Sequence, residues 1–209
     1  MELKDYPKYT IIMRNYSFSE SEAILKAMKG FEQSFAVEMT LNTPNAIKNI
    51  EKLNNLYGDK IKIGAGTVRS LEDVKAAVSV GAKFLLGPHD FSSEMIKTAK
   101  KENVLVIPSG MTPTEINNMF DAGADIVKVF PANLVNPIFF KDIQAPLGNL
   151  PLMAVGGINQ ENAKDYLDQN TSYLGIGSGL FNKSDIKDCH VTNLANSLKN
   201  FLESVQEVK

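Results

Sequence analysis

The sequence is poor in the residues that build disulfides and metal centres. Cys189 is the only cysteine among 209 residues, so the chain cannot form an internal disulfide. The two histidines, His89 and His190, have no paired spacing, and a histidine-based metal site is therefore not expected. These absences favour a chemistry that relies on other side chains.

Long apolar segments and an excess of basic residues are also missing. No run of about 18 apolar residues could span a membrane, and the polar start MELKDYPKYT lacks the core of a signal peptide. The formal net charge is −2 with charges spread along the chain, which leaves no basic surface for nucleic acid. The composition predicts a soluble cytoplasmic protein that binds neither membrane nor nucleic acid.

Short apolar runs alternate with amphipathic segments along the whole chain. The eight runs have lengths typical of strands and cover 9–14, 34–40, 60–66, 83–88, 104–109, 125–130, 151–156 and 173–178. Helices are predicted near 19–29, 44–56, 70–80, 92–101, 112–122, 137–144, 159–169 and 190–206. This alternation indicates a parallel sheet closed into a (β/α)8 barrel, one domain over residues 1–209.

A doubly wound open sheet is the alternative fold. Such sheets often carry a glycine-rich dinucleotide fingerprint, but the nearest match, Gly64-Ala65-Gly66-Thr67, lacks the third glycine. The barrel is therefore favoured, and its active site is expected at the C-terminal ends of the strands.

Three of the predicted helices carry signals for their first residue. Ser70, Thr112 and Asn159 each precede a segment with acidic residues in its first turn, and Pro113 follows Thr112 directly. These patterns predict N-caps at the three positions.

A lysine stands in the apolar sixth strand. Alternation places Lys128 on the inward face of that strand and Glu38 on the inward face of the second. Because alternate strands of a barrel supply one layer of side chains, the two charges can face each other. A lysine in an apolar wall has a lowered pKa and can form a Schiff base, with a nearby carboxylate moving the protons. The alternative is a buried structural ion pair.

Glycines follow the seventh and eighth strands. Gly156 and Gly157 end strand seven, and Gly177, Ser178 and Gly179 end strand eight. Backbone N–H groups here, with the N-terminus of a following helix, form the recurrent phosphate site of such barrels. Glycines also serve as turns, but two clusters on adjacent strand ends favour phosphate binding.

Other polar residues stand at strand ends and permit more than one role. Arg14 ends strand one and could orient Glu38, bind a carboxylate or lie on the surface. Thr67 could hydrogen-bond a substrate or cap a turn, and His89 follows Pro88 at the expected mouth of the barrel.

The order of several sequence blocks resembles the family of 2-keto-3-deoxy-6-phosphogluconate (KDPG) aldolases, which are class I, Schiff-base enzymes. The blocks extend over nearly the whole chain and are VEMTLNTP, IGAGTV, IPSGMTPTE, VKVFPAN, VGGI and IGSGLF. The resemblance implies that Lys128 is the Schiff-base lysine and Glu38 the proton shuttle. It also implies a phosphate site made of Gly156, Gly157, Gly177 and Ser178.

The same resemblance implies roles around the substrate. Arg14 would support Glu38, Thr67 and Pro88 would line the pocket for the pyruvyl group, and Phe130 would form part of its wall. Members of the family are commonly homotrimers, so a homotrimer is expected. No metal or organic cofactor is implied, because the imine on Lys128 is the electron sink.

Two positions depart from the gluconate-specific pattern of the family. The chain has Asn42 where that pattern has arginine, and Val155 where it has threonine before the glycine pair. Both resemble the branch that cleaves the galactonate epimer (KDPGal), which makes Val155 a candidate substrate contact.

The expected activity is cleavage of a 2-keto-3-deoxy-6-phospho sugar acid, gluconate or galactonate, to pyruvate and glyceraldehyde 3-phosphate. A phosphosugar epimerase or decarboxylase on the same barrel, or a non-catalytic phosphosugar-binding protein, is the alternative. The first would usually need a metal or paired acids, and the second would bind ligand without forming an imine.

Overall fold

A computed structural model describes residues 1–206, and in this range eight parallel strands form one sheet. The strand order is β5-β4-β3-β2-β1-β8-β7-β6, so strands that are adjacent in the sheet are also consecutive in the chain, except for β1 and β8. The strands are β1 Tyr9–Met13, β2 Phe35–Thr40, β3 Ile63–Gly66, β4 Phe84–Leu86, β5 Leu105–Ile107, β6 Val127–Val129, β7 Leu152–Val155 and β8 Tyr173–Ile176.

The two ends of this sheet meet at Lys128. Its backbone N–H donates to the carbonyl oxygen of Pro108 at 2.8 Å, and its own carbonyl accepts from the N–H of Gly110 at 3.0 Å. A bridge between Ser109 and Lys128 completes the contact between β5 and β6. The predicted (β/α)8 barrel is therefore confirmed, and the open sheet is excluded.

Helices connect the strands and cover the outside of the barrel. Among the described residues they are α1 Phe18–Ala27, α2 Ala46–Tyr57, α3 Leu71–Ser79, α4 Ser93–Lys101, α5 Pro113–Asp121, α6 Ile138–Leu147, α7 Ala163–Asp168, α8 Lys183–Lys187 and α9 Val191–Ser204. Short 3₁₀ segments lie at Leu3–Asp5 and Ala132–Leu134. None of the helices within the described residues has the length and apolar character needed to span a bilayer.

The predicted helix starts are confirmed at two positions and wrong at one. Ser70 and Thr112 both form capping boxes at their helices. Asn159 does not cap α7, because its side chain oxygen accepts from the N–H groups of Glu161 and Asn162 in a turn. This side-chain turn competes with helix formation, so α7 begins only at Ala163.

The short helix α8 was not predicted from the sequence. It has five residues, Lys183–Lys187, and so few residues cannot display the repeated apolar spacing by which helices are recognised. It matters because it is the first helix after β8, whose end carries part of the predicted phosphate site.

The barrel has two apolar layers on opposite faces of its strands. One cluster fills the interior and contains Tyr6, Ala36, Phe84, Leu86, Leu105, Ile107, Ile126, Met153 and Val155. The outer cluster joins the other strand residues, among them Phe35, Val37, Met39, Val127 and Val129, to the helices. The predicted facing of strands two and six is therefore confirmed, with Glu38 and Lys128 on the inward side.

Candidate active site

A cavity of about 850 Å³ opens at the carboxyl ends of the strands. Its wall includes both the residues expected to form and serve the imine and those expected to bind the phosphate. Of the residues proposed for the site from the sequence, all but His89 lie on this wall, namely Arg14, Glu38, Thr67, Pro88, Lys128, Phe130, Val155, Gly156, Gly157, Gly177, Ser178 and Gly179. The barrel thus brings together side chains that are up to 164 positions apart, from Arg14 to Ser178.

Lys128 is the one buried lysine side chain on this wall. It is 6% exposed, and its Nζ lies 5.1 Å from the ring centre of Phe130. Burial lowers its pKa from 10.5 to about 8; the negative charge of Glu38 opposes that change, and the positive charge of Arg14 adds to it. A fraction of the amine is therefore unprotonated near neutral pH, which is the form that attacks a carbonyl.

Glu38 is the buried acid of the same cavity. Its side chain is 3% exposed, and Oε2 has no hydrogen-bond partner among residues 1–206. Burial raises its pKa to about 7, against the opposing influence of Lys128 and Arg14. The group can therefore both accept and donate a proton near neutral pH, as a general acid–base must.

The two charged groups interact without forming a direct ion pair. Each influences the pKa of the other, but in the described part of the chain no salt bridge within 4.0 Å joins them. A structural pair would instead satisfy its charges by close contact and hydrogen bonds. The space between them is the arrangement expected for a bound substrate or a water.

Arg14 follows β1 and is held at the rim by two side chains. Its Nη1 donates to Oδ1 of Asn42 at 3.1 Å and to Oγ1 of Thr67 at 3.4 Å. Thr67 has a φ of 56°, a conformation that β-branched residues rarely adopt and that is often found at functional sites. Arg14 is therefore an exposed residue of the cavity wall, and Asn42 contacts it from outside that wall.

The glycines at the predicted phosphate end of the cavity lack side chains for different reasons. Gly156 and Gly157 have φ values of 106° and 74°, which a side chain would disfavour. A Cβ on Gly177 would meet no atom within 4 Å, so this part of the wall can approach a ligand closely. The helix predicted to begin near 159 begins only at Ala163. Before it, the side-chain amide of Asn162 donates to the carbonyl oxygen of Gly157 at 2.9 Å.

A family model described as KDPG and KHG aldolase matches residues 18–196 of this chain. The chain belongs to the KDPG and KHG aldolase family. The family resemblance inferred from the sequence blocks is thereby confirmed, as is the enzyme class, since the family is one of aldolases.

Individual relatives support the same conclusion. The 2-dehydro-3-deoxy-6-phosphogalactonate aldolase of Escherichia coli K12 is 32% identical over 198 residues, 93% of this chain and 95% of the relative. A solved structure described as native KDPGal is 30% identical with a TM-score of 0.86, covering 99% of this chain and 100% of the other. The KDPG aldolase of Legionella pneumophila, captured with pyruvate as a covalent carbinolamine, is 26% identical with a TM-score of 0.81, over 92% and 93% of the chains.

Several residues of this aldolase cavity were not identified from the sequence. Ile12 belongs to β1, and the others come from the segments after β1, β7 and β8, namely Asn15, Tyr16, Glu20, Ile158, Asn159, Phe181, Lys183 and Ile186. Position directly after a strand is the signal that could have found Asn15 and Tyr16. Lys183 had no such signal, because it depends on the unpredicted α8.

His89 lies apart from the large cavity. It lines a smaller one of about 370 Å³ beside Pro88 and Phe130, and its Nδ1 donates to the carbonyl oxygen of Asp90 at 2.6 Å. Within residues 1–206 no group of three or more His, Cys, Asp or Glu side chains is arranged to hold a metal ion.

Proposed function

We propose that this protein is a class I aldolase that cleaves a 2-keto-3-deoxy-6-phospho sugar acid to pyruvate and glyceraldehyde 3-phosphate. The observation that carries this proposal is the pair formed by Lys128 and Glu38 inside one cavity, with pKa values of about 8 and 7. A nucleophilic amine and an acid–base group, both poised near neutral pH, are what an imine mechanism requires.

The first stage is formation of the imine. The unprotonated Nζ of Lys128 attacks the C2 ketone, and the resulting carbinolamine loses its hydroxyl as water to leave a protonated imine. Glu38, directly or through a water, moves the protons between the amine, the hydroxyl and the departing water. Its otherwise unpartnered Oε2 supports this role, because a buried carboxyl oxygen needs a hydrogen-bond partner.

The second stage is cleavage of the C3–C4 bond. Glu38 takes the proton of the C4 hydroxyl, C4 becomes the aldehyde carbon of glyceraldehyde 3-phosphate, and the electrons of the C3–C4 bond pass into the imine to give an enamine. Protonation at C3 and hydrolysis of the imine then release pyruvate and free Lys128. No metal or organic cofactor is needed in this scheme, because the covalent imine is the electron sink.

The remaining wall residues divide between the two ends of the substrate. Arg14, Thr67, Pro88 and Phe130 surround the Lys128 end and would hold the pyruvyl part. Gly156, Gly157, Gly177 and Ser178 would bind the phosphate through backbone N–H groups and a hydroxyl. The positive charge of Arg14 suits the substrate carboxylate, and its contacts with Asn42 and Thr67 keep it at the rim.

The galactonate epimer is the proposed preferred substrate. Val155 is on the cavity wall next to Gly156 and offers no hydroxyl to the substrate. Asn42 is not on that wall and instead contacts Arg14. A relative described as a 2-dehydro-3-deoxy-6-phosphogalactonate aldolase and a structure described as native KDPGal match 93% and 99% of this chain, which supports the galactonate epimer as substrate.

The protein is further proposed to be a cytoplasmic homotrimer. Leu134 and Ile138 lie close together in the chain after β6 and are 72% and 41% exposed, and exposed apolar surface is a feature of many subunit interfaces. A cytoplasmic location fits the substrate, since a charged phosphate ester does not cross a membrane unaided.

Reductive trapping tests the proposed chemistry. Pyruvate and borohydride added to the purified protein should attach irreversibly to Lys128, as read by peptide mass spectrometry. Lys128→Arg should prevent the adduct, whereas Lys101→Arg, at the exposed end of α4, should leave it unchanged. An adduct on another lysine, or phosphosugar binding without any adduct, would exclude the imine mechanism. Activity lost on adding a chelator would favour the epimerase or decarboxylase.

A further inference from the structure

The backbone of β3 passes directly beneath the carboxyl group of Glu38. Gly66 is the last residue of β3 and pairs with Thr40 at the end of β2. If Gly66 carried a Cβ, that atom would lie no farther than 3.0 Å from Oε1, Cδ and Oε2 of Glu38. Real Cβ atoms do not approach other heavy atoms so closely. The carboxyl group therefore occupies the volume that a side chain at position 66 would take.

The lack of a side chain at this position is not explained by backbone conformation. Gly66 lies within a regular strand and does not have a positive φ, so alanine could adopt the same backbone. Gly64 of the same strand differs, because its added Cβ would lie 2.5 Å from the backbone oxygen of Phe84 and 2.6 Å from its ring. Gly64 is required by packing in the barrel interior, whereas the three atoms nearest to a Cβ on Gly66 all belong to the carboxyl group of Glu38.

Little else on the protein holds the Glu38 carboxyl in place. Oε2 has no hydrogen-bond partner among residues 1–206, and in the same range no salt bridge within 4.0 Å joins the group to Lys128 or Arg14. Steric contact with Gly66 of β3 therefore limits how far into the barrel the carboxyl group of Glu38 can lie. A carboxyl that sits less deeply would also be less desolvated, and burial is the largest influence on its pKa.

We propose that Gly66 is a positioning residue of the proposed aldolase, because its missing side chain lets the Glu38 carboxyl lie against β3 at the distance from Lys128 that proton transfer requires. Gly66 itself touches no reacting atom. The inference rests on the proposed function and adds a residue through which the position of the acid–base group is set.

The variant Gly66→Ala tests the proposal. Because the atoms it meets are the end of a flexible side chain bordering a cavity, Glu38 can move aside and the barrel should still fold. We expect kcat to fall by about 10- to 100-fold, part of the 10² to 10⁴ that a general acid–base contributes, with KM within about threefold. The pH profile of kcat should shift, since the displaced carboxyl is less buried, while borohydride trapping of pyruvate on Lys128 should persist.

The double variant with Glu38→Ala separates positioning from a general structural effect. With no carboxyl to displace, Gly66→Ala should cost less than about twofold in kcat relative to Glu38→Ala alone, as coupled residues behave in such a cycle. An equal loss in both backgrounds, or no loss in the single variant, overturns the proposal. If the single variant does not fold, folding restored by Glu38→Ala supports the clash, and failure of both overturns it. Absence of trapping in the wild-type protein would instead refute the proposed function.

Discussion

The amine of Lys128 should react at lower pH than the amine of an ordinary lysine, whose pKa is about 10.5. With a pKa of about 8, about one-tenth of the amine is unprotonated at pH 7, against about one part in 3000 for an ordinary lysine at 10.5. The unprotonated fraction of Lys128 at pH 7 is therefore about 300 times that of a lysine of ordinary pKa, and the wild-type protein should acylate at Lys128 faster than at an equally accessible ordinary lysine. Reactivity should rise with pH through about 8, because the neutral amine is the reactive form.

Replacing Glu38 tests whether its negative charge influences the pKa of Lys128. The carboxylate is the influence that raises the pKa of Lys128, while burial and Arg14 lower it. Glu38→Gln removes that negative charge at nearly constant volume, so the midpoint of labelling should fall below its wild-type value by about one pH unit. Turnover should nevertheless slow by about 10² to 10⁴, because the proton shuttle is lost. A more available amine together with a slower reaction is a combination that general damage to the site would not produce.

Trace acetylation with acetic anhydride, followed by peptide mass spectrometry across a pH series, measures both effects. Lys26 is a useful internal reference, because its hydrogen bond to Glu22 raises its pKa, and its labelling should be unaffected by Glu38→Gln. A wild-type midpoint for Lys128 near 10.5 would refute the role of burial. A midpoint that stays constant or rises in Glu38→Gln would refute the coupling to that carboxylate.

The phosphate end and the epimer preference supply two further predictions. Gly177→Leu should raise KM for the phosphorylated substrate by about 10- to 100-fold, which corresponds to the loss of one or two charge-assisted hydrogen bonds. KM for the unphosphorylated analogue should change much less. Gly177 suits this test because an added Cβ meets nothing within 4 Å. Equal effects on both substrates in steady-state assays would place the phosphate elsewhere. Val155→Thr should shift the kcat/KM ratio toward the gluconate epimer by about 5- to 150-fold, the value of one buried hydrogen-bonding group. A wild-type preference for gluconate that Val155→Thr leaves unchanged would contradict the proposed specificity.

Much of the fold was predictable because it depends on local patterns. The alternation of strands and helices indicated the barrel, and the period of two within β2 and β6 placed Glu38 and Lys128 on the inward face. The capping boxes at Ser70 and Thr112 join residues three positions apart, so a short stretch of sequence contains both partners and is enough to predict them. The competing turn at Asn159 uses similar residue types, which is why the pattern did not distinguish it from a cap.

The identities of the site residues were also present in the sequence, but their environment was not. The pKa of a buried group depends on how much water is excluded from it and on which charges lie near it. For Glu38 and Lys128, the nearby charges come from β2, β6 and the residue that follows β1. The contacts of Arg14 with Asn42 and Thr67 join segments 28 and 53 positions away. The short α8, which brings Lys183 to the cavity, has too few residues to show a period.

The sequence by itself determined which residues point into the barrel, because side-chain direction along a strand follows from backbone geometry that neighbouring residues share. Only the tertiary structure decided the distances between them, because closure of the sheet at Lys128 sets how β2, β3 and β6 face one another. Gly66 is the plainest case. In the sequence it is one glycine of IGAGTV, and its relation to Glu38 exists only because two adjacent strands bring a backbone and a carboxyl group into the same volume.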